Sequence, residues 1–282
     1  MIDLPLNVDF SGKVVVVTGA GGLICGAMAR AFAQSGAKVA ALDLNGEAVK
    51  KLADELKAEG FVCEGYAANV LDTEALEAVH KQVLADLGEC DVLVNGAGGN
   101  NPRATTDDEY FLPEDMGQMK TFFDLDPSGV SFVFSLNFMG TLIPTQVFAK
   151  DMIGKKGCSV INIASMNAYT PLTKIPAYSG AKAAITNFTE WLAVHFSKVG
   201  IRCNAIAPGF FVTKQNEKLL YNEDGTPTAR TGKILAATPM GRFGEVEELV
   251  GSVLFLACEE ASGFVNGCCI PIDGAFASYS GV

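Results

Sequence analysis

Tyr178 and Lys182, in the run Tyr178-Ser179-Gly180-Ala181-Lys182, are the residues of this chain most suited to chemistry. On a helix, residues four apart share a face, their Cβ atoms about 5–6 Å from each other. A free phenol titrates near about 10, too high for efficient proton transfer at neutrality. A neighbouring ammonium favours the phenolate and lowers that value. Ser165, upstream, adds a hydroxyl that can polarise a carbonyl. The three together make an acid/base site for a C–O group. A chance Tyr/Lys pair on a surface helix is the competing reading, and the surrounding elements weigh against it.

Those elements read as alternating strands and helices. Short β-branched or apolar runs predict strands at Lys13–Thr18 (KVVVVT), Lys38–Leu42, Phe61–Tyr66 and Asp91–Asn95 in the first half. Ser159–Ala164, Ile201–Ala207 and Cys268–Ile272 follow in the second. Between them, helical patterns cover Leu23–Gln34, Glu47–Glu59, Thr73–Leu87, Ala177–Lys198 and Val246–Cys258. Strands alternating with helices of this length indicate βαβ units and a parallel α/β sheet. No Pro/Gly/Ser linker interrupts the 282 residues, so one domain spanning 1–282 is expected. Two stretches, 100–129 and 214–239, are polar and irregular, and loops that long in a compact domain are usually lids or binding loops.

The first strand ends in Thr18-Gly19-Ala20-Gly21-Gly22 and opens a helix. Glycine lets backbone N–H groups approach an anion, and a helix N-terminus favours negative charge, so a pyrophosphate fits there. Asp43 closes the second strand. A carboxylate at that point can accept from both adenosine ribose hydroxyls and repels a 2′-phosphate, which favours NAD(H) over NADP(H). A helix N-cap is the alternative role for Asp43.

Thr18-Gly19-Ala20-Gly21-Gly22, Asn95-Gly96-Ala97-Gly98, Asn137, Ser165, Tyr178-x-x-x-Lys182 and Pro208-Gly209 occur in one order. In this the chain resembles the classical short-chain dehydrogenase/reductases, from about Ser11 to Ala275. The resemblance implies a single-domain Rossmann fold: a doubly wound parallel sheet of about seven strands with helices on both faces. It implies that Tyr178 is the general acid in reduction and the base in oxidation. Lys182 would lower its pKa and hold the nicotinamide ribose, Ser165 would bind the substrate oxygen, and Asn137 would anchor a water in the proton relay. Cofactor contacts are implied at Gly19, Gly21, Gly22, Leu23 and Ile24, at Asp43 and Leu44, and at Asn69 and Val70. Asn95, Gly96 and Ala97 follow, then Tyr178 and Lys182, and finally Pro208, Gly209, Phe211 and Thr213. The family fingerprint Thr-Gly-x-x-x-Gly-x-Gly is broken here, because Leu23 and Cys25 occupy its last two glycine positions. Gly21 and Gly22 are expected to supply the missing backbone freedom.

For the substrate, Asn100-Asn101-Pro102-Arg103 follows the Asn-Gly-Ala-Gly segment, Asn167 follows the catalytic serine, and Lys174 and Lys214 flank the expected mouth. An arginine can hold a carboxylate through two parallel hydrogen bonds. Arg103, Asn167, Lys174 and Lys214 are therefore expected to bind a keto or hydroxy sugar acid. Within the family, the segment between Asn95 and Asn137 and the variant glycine loop resemble D-mannonate oxidoreductases (fructuronate reductases), with gluconate 5-dehydrogenase-like or other sugar/polyol dehydrogenases as the alternative. A non-catalytic NAD-binding sensor is the reading from a different class.

The bulk composition restricts the partners. Lys and Arg number 21 against 32 Asp and Glu, a net charge of −11, which argues against nucleic acid or an anionic membrane. No leader pattern is expected in Met1–Phe10, and no apolar run of spanning length. The eight cysteines are scattered without a CxxC pair and only two histidines are present, so no metal site is expected. Buried free thiols suit a reducing cytoplasm. Helices near Asn137–Gly154 and Ala177–Lys198 are apolar on more than one face, as a subunit interface requires; family resemblance implies a homotetramer.

Overall fold

Val14–Thr18 forms strand β1 with all five residues buried. Its side chains alternate between two cores, Val15 and Val17 entering one and Val14 and Val16 the other. A β-branched run buried on both faces demands this of a parallel sheet. The computed structural model describes residues 8–213 and 217–281, so Lys214, one of the expected substrate cations, lies outside the described residues.

The remaining strands are β2 (Lys38–Asp43), β3 (Cys63–Ala67), β4 (Val92–Asn95), β5 (Cys158–Ile163), β6 (Ile201–Pro208) and β7 (Cys269–Ile272). They lie in the order β3-β2-β1-β4-β5-β6-β7, and all neighbours are parallel. Helices α1 (Leu23–Gln34), α2 (Gly46–Ala58) and α9 (Glu247–Ala257) cover one face. Helices α3 (Thr73–Asp86), α5 (Gly140–Phe148) and α6 (Pro176–His195) cover the other. Each amphipathic helix buries its apolar stripe; α2 does so through Val49, Leu52, Ala53 and Leu56, and burying a side chain of that size stabilises by about 1.5–3 kcal/mol. The result is the single doubly wound domain expected.

Chain order reverses between β1 and β4, whose last residues Thr18 and Asn95 are in register. Ligands bind beyond the carboxyl ends of the strands at such a switch point.

Three departures from expectation have physical causes. The segment 100–129 is built from 3₁₀ turns at Pro102–Ala104, Pro113–Asp115 and Phe122–Asp124, followed by helix α4 (Pro127–Phe134). Asn101, Asp115 and Asp124 accept backbone N–H groups within these turns, so polar residues that suggested a loose loop instead cap short helices. The segment 214–239 likewise contains α7 (Glu217–Leu220) and α8 (Ala229–Ala236), the latter capped by Thr228; α10 (Glu259–Ser262) follows α9. Finally, a continuous helical run Pro127–Met152 is 26 residues long with a hydropathy of 1.3, enough by length and composition to cross a membrane, against the expectation of no such run. More than half of its most apolar window is buried in the protein, and a π turn at Ser135–Met139 and Pro144 interrupt its geometry, as in a core helix.

Candidate active site

The glycine loop after β1 is shaped by close contacts. Gly19 has φ of 72°, in the left-handed region, and a Cβ there would stand 2.9 Å from the backbone N of Ala97. Gly21 donates its N–H to Asp43 Oδ2 at 3.0 Å. Gly22 is the N-cap of α1 and offers no side chain to the first turn, leaving its N–H groups directed at the crevice. Thr18 Oγ1 accepts from Gly96 N at 3.0 Å and from Ala97 N at 3.3 Å, joining the two strand ends.

Asp43 is not the cap of α2; Asn45 is, accepting from Ala48 N. The Asp43 carboxylate instead accepts from Gly21 and, through Oδ1 at 2.8 Å, from Asn45 N. Each oxygen keeps lone pairs for ribose hydroxyls. The uncapped helix, the Cβ-free cradle and this carboxylate fit a dinucleotide: Gly19, Gly21 and Gly22 would meet its pyrophosphate and Asp43 its adenosine ribose.

The two fingerprint substitutions have different consequences. Leu23 is half exposed at the start of α1, where a side chain meets no obstacle. Cys25 is buried, and its Sγ lies 2.1 Å from where a Cβ on residue 96 would be, so Gly96 accommodates the thiol. The expected freedom does not come from Gly21 and Gly22, since neither adopts positive φ; Gly19 supplies it.

The other expected cofactor positions have varied surroundings. Leu44 is exposed, and Ile24 packs partly into the core. Asn69 accepts from Leu71 N at 3.0 Å, and buried Val70 abuts Gly140. Asn95 is buried, its Nδ2 donating to Thr145 and Asn162 at 2.9 Å, which makes it a strut rather than a surface contact. Pro208 ends β6, Gly209 donates to Ile272 O, and buried Phe211 bridges Gly244. Thr213 follows and accepts through its carbonyl from Glu217 N.

On the catalytic side, α6 presents Tyr178 and Lys182 together, Lys182 Nζ lying 5.5 Å from the centroid of the Tyr178 ring. Ser165, the N-cap of the turn that follows β5, is the side chain that acts on the Tyr178 phenol. Burial pushes that phenol up to about 12, and the Ser165 hydrogen bond draws it back. Burial pulls Lys182 down to about 8, opposed by the Cys25 thiol, and its ammonium donates to Ile163 O at 2.8 Å. Asn137 sits in the π turn, fully buried; its Nδ2 donates to Gly99 O and Val133 O at 2.8 Å, and its Oδ1 accepts from Gly99 N. A Cβ on Gly98 would stand 2.6 Å from Asn137 Oδ1 and 3.3 Å from Lys182 Nζ. Gly98, Thr18 and Ser179 belong to the site architecture yet were absent from the expected set. All three stand inside motifs quoted above, Thr18 at the head of the first glycine run, Gly98 at the end of Asn95-Gly96-Ala97-Gly98 and Ser179 next to Tyr178.

The expected substrate residues fare unevenly. Arg103 donates to Asp126 Oδ2 at 3.2 Å and to Ser128 Oγ at 3.1 Å, bracing its turn against the start of α4. Asn167 is buried, its amide committed to protein groups, and is corrected from a substrate contact to an internal one. Lys174 donates to Asp107 O and makes no ion pair among the described residues.

Sequence comparison places this geometry in its family. The profile of the short chain dehydrogenase family matches residues 13–224. A Haemophilus influenza protein named as a candidate D-mannonate oxidoreductase, solved with bound NAD, superposes with a TM-score of 0.95 and 57% identity, over 99% of this chain and 100% of that one. The "Uncharacterized oxidoreductase UxuB" of Bacillus subtilis is 50% identical across 99% of this chain and 100% of its own length. Gluconate 5-dehydrogenase of Gluconobacter oxydans is 32% identical over 94% and 95% respectively. The chain belongs to the short-chain dehydrogenase family, and is an NAD-dependent oxidoreductase acting on a CH–OH group.

Proposed function

We propose that this protein reduces a keto sugar acid to a hydroxy acid, interconverting D-fructuronate and D-mannonate, with NAD(H) used in preference to NADP(H). The observation that carries the reading is near-complete likeness to the NAD-bound protein named as a candidate D-mannonate oxidoreductase. Asp43 supports the cofactor preference, because its carboxylate is fixed by Gly21 and Asn45 where a 2′-phosphate would meet like charge.

NAD(H), when bound, supplies the hydride. Tyr178 delivers a proton to the substrate oxygen in reduction and removes it in oxidation. Ser165 donates to the same oxygen as charge develops on it, in the manner of an oxyanion hole. Lys182 would hold the nicotinamide ribose and place a positive charge beside Tyr178. With Arg103 paired to Asp126, Lys174 becomes the described cation best suited to a substrate carboxylate.

Gluconate 5-dehydrogenase activity is the second reading, favoured by the 32% identical relative of that name. The eight free cysteines, six of them buried, support a reducing cytoplasmic setting. Exposed Trp191 and Val194 on α6, with Phe134 and Met139 near it in the catalytic half, support a homotetramer.

The test is NADH oxidation with D-fructuronate, 5-keto-D-gluconate and an uncharged ketose. Turnover of fructuronate, with a Lys174→Met variant raising KM for the acid alone, is the expected result. Turnover of only 5-keto-D-gluconate selects the second reading, and silence on all three with NADH bound indicates a sensor.

A further inference from the structure

Ser165 can act on a substrate oxygen only if its hydrogen points that way. A hydroxyl has one hydrogen and two lone pairs, and both lone-pair directions of Ser165 are addressed by one residue. Asn167 donates its backbone N–H to Ser165 Oγ at 3.3 Å and its Nδ2 at 3.1 Å. The amide cannot turn over to present its oxygen instead, because Asn167 Oδ1 is held from the opposite side. It accepts from Leu172 N at 3.1 Å and from Ser179 Oγ at 3.2 Å. All of these groups are shielded: Ser165 is 7% exposed, Asn167 6% and Ser179 5%.

We infer that Asn167 is a positioning residue which, locked by Leu172 and Ser179, fixes Ser165 as a hydrogen-bond donor toward Tyr178 and the substrate oxygen. The inference rests on family membership and on the role of Ser165, and is independent of which acid is reduced. Ser179 has its own part: standing next to Tyr178 on α6, it ties the acid's helix to the serine's turn. Replacing the amide by a carboxylate reverses the arrangement. One oxygen of an aspartate at 167 keeps Leu172 and Ser179, and the other has no hydrogen to give and accepts the Ser165 proton. The titratable groups nearest this hydroxyl and its partner are Tyr178 and Lys182 from α6, with Cys25 from α1 facing Lys182.

Steady-state kinetics of Asn167→Asp, Asn167→Ala and Ser179→Ala test this, read as kcat, KM and the pH profile of both directions. In Asn167→Asp, kcat is expected to fall about 100-fold, as when one oxyanion donor is lost. KM and NADH affinity should stay within about threefold. The alkaline limb, where Tyr178 becomes the base, should move to higher pH because the phenolate loses a donor. Asn167→Ala frees the hydroxyl to rotate and should lose less. Ser179→Ala, which keeps every buried donor satisfied, should shift the limb in the same direction by a smaller amount, and it stands in should Asn167→Asp not fold. Wild-type kcat and an unmoved limb in Asn167→Asp or, where that variant does not fold, in Ser179→Ala overturn the inference. So does a loss in which NADH affinity and thermal stability drop together while the limb stays in place.

Discussion

Tyr178 and Lys182 each lie in a place that disfavours charge, and their proximity makes the site responsive to pH. Burial draws the ammonium of Lys182 from 10.5 down to about 8, so between those values the folded chain binds fewer protons than the unfolded one. Stability therefore rises with pH across that window. In urea unfolding from pH 8 to 10, the wild type should gain stability relative to Lys182→Met; parallel curves would mean the ammonium is well solvated. Asp43 makes a second prediction at this scale. Asp43→Ala removes the acceptor of Gly21 N and the charge facing the ribose, so the ratio of kcat/KM with NADH over NADPH should fall by about tenfold or more. An unchanged ratio would assign Asp43 to loop structure alone. The placement of Asp43 at a strand end and of Lys182 beside Tyr178 was legible in sequence, because each rests on residue type at a fixed register. The correction of Arg103 was not, because a guanidinium on a polar segment looks the same whether it meets a substrate or Asp126.

Among the elements, the strand bounds expected from sequence agree within two residues, and the longest helix, expected to reach Lys198, ends at His195. A run such as Val14–Val17 has only one way to bury both faces, and Leu23–Gln34 closes where Gly36 takes φ of 91°. The segment 100–129 looks irregular in sequence because its locally capped turns are tied together, and to the rest of the chain, by contacts distant in sequence. Asp107 Oδ2 accepts from Lys120 N, and the Asp107 carbonyl accepts from Lys174. Helix α4 was hidden because Pro127 and Gly129 look like breakers. Pro127 occupies the first turn, where no N–H is needed, and Gly129 lets the helix press on Arg103. The π turn was equally hidden, and it carries Asn137 to the end of β4. Gly98→Ala tests that junction. An added methyl would collide with the Asn137 amide and crowd Lys182, so turnover should drop by at least about tenfold with only a small change in melting temperature. Unaltered turnover would mean that the π turn yields without moving Lys182.

At the scale of the whole molecule, two clusters of exposed apolar side chains stand out among the described residues. One lies on α6, where Trp191 stacks on His195 with ring centroids 4.4 Å apart and Val194 stands open beside them. The other caps the 100–129 segment, where Phe111, Phe122 and Phe123 pack edge to face. Surfaces of the first kind, on helices whose other faces fill a core, are suited to association between copies. Trp191→Glu should lower the mass measured by light scattering to that of a smaller assembly; an unchanged mass would place the interface elsewhere. The second surface is joined to α8 by Lys233 and Glu109, an exposed pair. Such pairs contribute at most about 1 kcal/mol, so the connection between the two segments can break readily.

The contact between Cys25 and Gly96 bears on how this protein can change over generations. A thiol at 25 occupies volume that a side chain at 96 would need, so the two positions are sterically coupled. Glycine at position 25 removes the tightest contact an alanine at 96 would meet and leaves the Thr18 carbonyl oxygen at 3.0 Å. Alanine at 96 first, with the thiol still present, obstructs the loop and is a dead end. The steric contact therefore makes the order of the two substitutions matter. Gly96→Ala should be tolerated in the Cys25→Gly background and not in the wild type.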